Sequence, residues 1–113
     1  KENYTLPENI TPEDAAAIAS EYKKIFDVTD DKQVWFDKIK AMCEPLGFTP
    51  NVKEYKQNPD SYKGHVGDVS TVTRIALTGR TNTPDLHSII AVLGAEEVAA
   101  RLEKAEKKFK EEK

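Results

Sequence analysis

Apolar residues recur along this chain at intervals of three and four, and nowhere does a sustained alternation appear. That is helical spacing, and it predicts an all-α bundle of about five helices without strands. Ala15, Ile18, Tyr22, Ile25 and Phe26 form the first stripe. Ahead of it, Thr11-Pro12-Glu13-Asp14 combines a capping residue, a proline at the first helical position and two acids at the positive end of the helix dipole. Residues 27–31 interrupt the pattern, with Thr29 or Asp30 as the expected next cap. A second helix from about Asp31 to Leu46 carries Val34, Trp35, Ile39, Met42, Cys43 and Leu46 on one side, so residues 11–46 read as a helical hairpin behind a polar lead-in, 1–10. Residues 47–65 follow neither period and read as the longest loop. Three helices are then expected within 66–109. The first runs from Val66 to Leu77 and is stopped by Gly79. The second starts at Thr83-Pro84, carries Leu86, Ile89, Ile90 and Leu93, and closes at Gly94. The third runs from Glu96 to about Phe109, with Val98, Leu102, Ala105 and Phe109 as a single stripe. Residues 110–113 are all charged and should fray.

Composition narrows this picture. A chain of 113 residues suits one domain, 1–113, and leaves no room for a catalytic domain beside it. No apolar run approaches a membrane span, and no signal or targeting motif is present. The chain begins at Lys1 without an initiator Met, so a fragment of something longer is expected. The single Cys43 excludes an internal disulfide and makes a reducing, cytoplasmic setting the default. The net charge of −3 is unevenly spread: 10 acidic against 6 basic residues over 1–50, but 4 against 5 over 51–90. The middle of the chain is therefore the mildly basic part.

Candidate chemistry is sparse. There is no nucleophile elbow, P-loop, dinucleotide fingerprint or HExxH motif, and the two histidines lack metal-ligand spacing, so neither catalytic nor metal residues are expected. Glu13/Asp14 and Glu96/Glu97 each open a helix, which the dipole explains. Cys43 reads as a small buried hydrophobe, Trp35 as core or as a partner-facing anchor, and His87 as core-edge or exposed. What stands out is one surface. The 47–65 loop gathers Lys53, Tyr55, Lys56, Tyr62, Lys63 and His65, and the junction from Arg74 to Leu86 sets Arg74 and Arg80 around a polar turn that ends in helix N-terminal donors. Such groups can meet phosphates, stack on unpaired bases or read base edges. A helical protein-docking module, using an exposed apolar part of the 1–50 hairpin with Trp35 and Tyr22, is the other reading.

The run Arg74-Ile75-Ala76-Leu77-Thr78-Gly79, then Thr83-Pro84-Asp85-Leu86, Leu93-Gly94 and Arg101-Leu102, resembles the C-terminal anticodon-binding region of bacterial-type glutamyl-tRNA synthetases. The resemblance is sharpest over 62–102, and the preceding hairpin fits the same region's order. It implies a piece of a class I glutamate-tRNA ligase whose HIGH-like and KMSKS-like motifs, with ATP and Mg, lie in an upstream catalytic domain. No cofactor is implied in this segment. The implied partners are the tRNA(Glu) anticodon stem-loop and the upstream catalytic domain of the same chain, with no membrane and a monomeric state. Carried over residue by residue, Arg74, Thr83, Pro84 and Leu86 approach the second and third anticodon bases. Lys56 adds a basic contact from the loop, and Arg80 joins as the second arginine of the junction. Two segments depart from the family pattern: Arg80-Thr81-Asn82 is more polar and basic than in many members, and Gly64-His65-Val66-Gly67-Asp68 replaces a lysine-containing helix start.

Overall fold

Thr11 starts the first helix by accepting the Asp14 N–H on its hydroxyl at 3.1 Å, leaving Pro12, which has no N–H to satisfy, as the first helical residue. In the computed structural model, which describes residues 6, 10–79 and 85–111, this helix is α1 (Pro12–Ile25). α2 (Lys32–Cys43) follows, and its cap is Asp31, whose carboxylate accepts from Val34 N at 2.9 Å; neither Thr29 nor Asp30 takes that role. Asp27 instead binds both the hydroxyl and the N–H of Thr29, which holds its carboxyl below the usual range.

α2 ends three residues earlier than its apolar stripe predicts. Pro45 has no N–H to give the Ala41 carbonyl, so the ladder fails there. Gly47, at φ 91°, then turns the chain back until Phe48 N–H reaches Cys43 O at 2.7 Å. The 47–65 stretch is also not wholly irregular. Asn51 caps a short helix, α3 (Val52–Gln57), by accepting from Glu54 N at 3.2 Å, and one 3-10 turn (Pro59–Ser61) follows. The segment is closed by Lys63 N to Gly47 O at 2.9 Å and Thr49 N to Gly64 O at 3.1 Å, with one parallel bridge between Thr49 and His65.

α4 (Val66–Thr78) is stopped at Gly79, whose φ of 72° is the left-handed value that glycine adopts without a Cβ penalty and whose N–H bonds Ile75 O at 2.7 Å. α5 (Leu86–Glu111) takes in the last two expected helices as one element, bent where Gly94 leaves helical geometry at φ 84° and ψ 165°. Among the described residues there are thus five α-helical elements, as many as periodicity predicts, but α3 is one of them, and the last two expected helices are the two arms of α5 on either side of Gly94, where the first was expected to close.

One core joins α1, α2, α4 and α5, with the largest interface between α1 and α5. Ile18 and Tyr22 from α1, Ile39 from α2, Val69 and Val72 from α4, and Val98, Leu102 and Phe109 from α5 are all essentially inaccessible. Val34 departs from its predicted place on the core stripe: it is 41% exposed on α2. Trp35 and Tyr22, at 7% and 1% exposure, are both inside, so the exposed patch that a docking module would need from them does not exist. Among the described residues no helix is long and apolar enough to cross a membrane.

Burial pushes the Cys43 thiol up to about 11, with Glu44 adding to the effect, and drives the Tyr22 phenol upward as well. The sign for stability follows. Below the unfolded thiol value of 9.0 both states hold the proton; above it only the unfolded chain releases it, so this contribution is lost as pH rises from 9.0 towards about 11. The expected result is a denaturation midpoint that declines over that window, with Cys43 unreactive towards a disulfide reagent at pH 8 until the chain unfolds. A Cys43→Ala variant with an unchanged decline would place the effect elsewhere.

Candidate nucleic-acid interface

The basic residues of the 47–65 segment are not equivalent once folded. Lys53 and Lys56 stand exposed on α3, with no ion pair among the described residues. Lys63 is committed to the protein: its Nζ donates to Asp14 Oδ1 at 2.7 Å, tying the segment to the first turn of α1. Tyr62 donates to a Glu54 carboxylate oxygen, which raises the phenol above its ordinary value. Tyr55 packs edge-on against His65, ring centres 5.3 Å apart.

His65, a member of the predicted basic surface, has a structural task. Its Nδ1 accepts the Gly67 N–H at 2.9 Å, and its own N–H donates to Asp68 Oδ2 at 3.0 Å, so the pair forms a reciprocal cap on α4. The imidazole fills the space beside Gly67: a Cβ there would lie 2.6 Å from His65 Cε1. Gly67→Ala is therefore expected to displace the ring and lose the cap, costing about 1 kcal/mol in urea denaturation. A variant as stable as the parent would show that the cap is dispensable.

α4 presents a partly exposed face on which Ser70, Thr71, Arg74 and Thr78 follow at helical spacing, while Val69, Val72 and Ile75 point inward. Thr78 donates its hydroxyl to Arg74 O at 2.7 Å. Arg74 is half-buried, and its Nε is shut away from solvent with no hydrogen-bond partner. Buried polar atoms of this kind are few in native proteins, and each needs an explanation. Of the remaining residues transferred by resemblance, Arg80, Thr83 and Pro84 lie outside the described residues. Leu86 is fully buried, so its side chain packs the core at the start of α5 and presents no surface for an unstacked base. α5 takes its first described helical bond at Asp85, whose carbonyl accepts from Ile89 N at 3.1 Å. Burial opposes ionisation of the Asp85 carboxyl, but the Ser88 hydroxyl and Lys32 together hold it below its usual range.

Three residues whose contacts sequence patterns do not give organise this region. Arg101 donates to the Leu77 carbonyl at 2.7 Å, His87 donates to the Asp30 carbonyl at 2.7 Å, and Lys38 holds the Asp30 carboxylate at 2.6 Å. The one local signal was the Glu97/Arg101 spacing of four, which forms a bond of 2.7 Å. The other contacts join residues far apart in sequence, and no periodicity reports them. Among the described residues no group of three or more His, Cys, Asp or Glu side chains is placed to hold a metal ion.

The fold is that of an all-α bundle, with exposed lysines on α3 and, on α4, an arginine whose side chain has no hydrogen-bond partner among the described residues. Residues 53–106 match the family model described as the anticodon binding domain. It is 46% identical over 98 residues, 87% of its length, to the glutamate–tRNA ligase of Acetivibrio thermocellus. It is 42% identical over 86% of its length to that of Sorangium cellulosum, and 41% identical over 88% to that of Clostridium perfringens. The chain spans only 18%, 17% and 18% of these three relatives. No solved structure matches it significantly.

Proposed function

We propose that this chain is the anticodon-recognition region of a glutamate–tRNA ligase, an enzyme that attaches glutamate to tRNA with ATP. ATP and Mg would act in a nucleotide-binding catalytic domain elsewhere in the parent chain, and the setting would be the cytoplasm, with the enzyme acting as a monomer. The observation that carries the reading is Arg74: it heads the family's Leu-Thr-Gly run, sits half-exposed on α4, and keeps a buried Nε without a hydrogen-bond partner among the described residues. A guanidinium in that state is suited to a base or a phosphate brought by the anticodon loop of tRNA(Glu). Lys53 and Lys56 would follow the backbone, and Thr83, Pro84 and Arg80 would complete the surface at the turn after Gly79. Leu86 belongs to the core and not to that surface.

Few cations take part, so the region alone should bind weakly and act as a check on tRNA held chiefly by the rest of the enzyme. Each phosphate contact should contribute a slope of about −0.7 in log affinity against log salt. Titration of the tRNA(Glu) anticodon stem-loop into the isotope-labelled chain should shift amides near Arg74 and in the turn up to Leu86 more than those of α1. Shifts that are uniform, or absent at low salt, would refute the reading.

A further inference from the structure

The segment between α2 and α4 leaves the bundle through a narrow neck and returns by it. Gly47 O accepts from Lys63 N at 2.9 Å, Gly64 O accepts from Thr49 N at 3.1 Å, and Thr49 and His65 form the parallel bridge. Lys63 Nζ anchors this neck to Asp14 of α1. Beyond the neck stand α3 and the 3-10 turn, and every residue from 51 to 61 is exposed except Tyr55. The bond from Tyr62 to Glu54 is internal to the excursion and closes α3 onto its own returning chain.

Tyr55 is therefore the one half-buried side chain of α3, and it meets His65. The two rings stand edge to face, with centres 5.3 Å apart and planes at 62°. The imidazole is not free to follow α3 if that helix tilts. Its Nδ1 accepts the Gly67 N–H at 2.9 Å, the residue's own N–H is held by Asp68 Oδ2 at 3.0 Å, and a Cβ on Gly67 would lie only 2.6 Å from Cε1. One side of His65 thus belongs to the first turn of α4 and the other to α3. A projecting helix fixed at its neck alone can pivot, and a ring contact of set direction opposes that.

α4 is also the helix that carries Arg74, nine residues beyond His65, which is about 13 Å of helical rise. Cations on two separate elements engage one nucleic-acid backbone together only while the elements keep their relative direction, and such direction comes from side chains whose rotamers are locked by packing and hydrogen bonds. We infer that His65 is a positioning residue: through its ring contact with Tyr55 it holds Lys53 and Lys56 of α3 in register with Arg74 of α4. The inference rests on the anticodon-recognition reading above. His65 acts without touching the RNA, so its loss is felt only through the two lysines.

The test measures binding of the tRNA(Glu) anticodon stem-loop to the 113-residue chain over a range of salt concentrations. Asparagine is among the best helix caps, so His65→Asn keeps an acceptor for the first turn of α4 and removes only the ring. It should melt close to the parent, yet flatten the salt slope by about 1 and lower affinity at about 0.1 M salt by about tenfold; complete loss of two lysine contacts would flatten the slope by about 1.4. Tyr55→Ala, which leaves the cap untouched, should do the same, and it decides the matter if His65→Asn melts early. Tyr55→Phe keeps the ring edge and should retain most of the slope. The combined His65→Asn and Tyr55→Ala chain should lose no more than either single variant, as two residues acting through one contact must. In a chain that already carries Lys53→Ala and Lys56→Ala, His65→Asn should cost nothing further. A parent that does not bind the stem-loop, or whose slope is unmoved by Lys53→Ala with Lys56→Ala, overturns the anticodon reading of these lysines and this inference with it. A binding parent whose Tyr55→Ala variant keeps the full slope, or a His65→Asn loss that persists without the lysines, overturns this inference alone.

Discussion

Phe109→Ala is expected to destabilise the domain by about 3–5 kcal/mol, although the residue lies within five positions of the chain's end. Terminal residues normally contribute little, because they fray. Phe109 does not: it is completely buried at the far end of the α5 stripe that begins with Val98 and continues through Leu102 and Ala105. This stripe forms α5's part of the interface with α1, the most extensive in the fold. Lys23 of α1 spans the edge of that interface to Glu103 at 3.2 Å, but the pair is exposed and contributes little. Truncating the ring removes its burial and leaves a cavity that rigid helices fill poorly. Domains of this size are stable by about 5–15 kcal/mol, so the loss is a large fraction of the total. Urea denaturation should show a lower midpoint with an unchanged slope. Lys108→Ala, one residue away on the exposed side, should stay within about 0.5 kcal/mol of the parent. Equal effects at the two positions would mean that the end of α5 is not packed.

Arg74→Ala should weaken binding of the anticodon stem-loop by about 1–3 kcal/mol, roughly 5- to 150-fold, with little change in the stability of the free domain. The two halves of that expectation have separate grounds. Binding falls because a planar guanidinium can stack on a base and donate to it at once, and alanine can do neither. Stability holds because Arg74 makes no ion pair among the described residues and its buried Nε has no partner there, so removing it deletes a desolvation cost along with some packing of the side-chain stem. Arg74→Lys keeps the charge but not the plane, and should retain the salt slope while losing much of the affinity. If Arg74→Ala unfolds the domain, Arg74 is a brace between helices and the site assignment fails.

The legible part of the fold is the part that repeats locally. Stripes such as Ala15, Ile18 and Tyr22, or Val98, Leu102 and Phe109, are visible because one helix turn carries each residue to the same face, and burial of that face is what the fold requires. Caps were legible at Thr11 and Gly79 for the same reason, since their chemistry is complete within four residues. Where candidate caps stand close together, as at Thr29 and Asp30, tertiary and local demands decide: the Thr29 hydroxyl bonds Asp27 and Lys38 holds the Asp30 carboxylate, which leaves Asp31 to cap the helix. α3 escaped notice because six residues are too few to show a period. Val34 was misjudged because its apolar character suits either side of α2.

By itself, then, the order of residues determined an all-α bundle, the helix breaks at Gly79 and Gly94, most of its core and the resemblance carried by the motif from Arg74 to Arg101. Each of these depends on neighbours along the chain or on residue identities at set spacings. Only the tertiary structure decided that Lys63 is spent on Asp14, that His65 serves as a cap, that Leu86 faces inward, and that Arg101 bonds the Leu77 carbonyl and His87 the Asp30 carbonyl. Those outcomes depend on which distant group arrives at hydrogen-bonding distance, and that is a property of how the helices pack against one another.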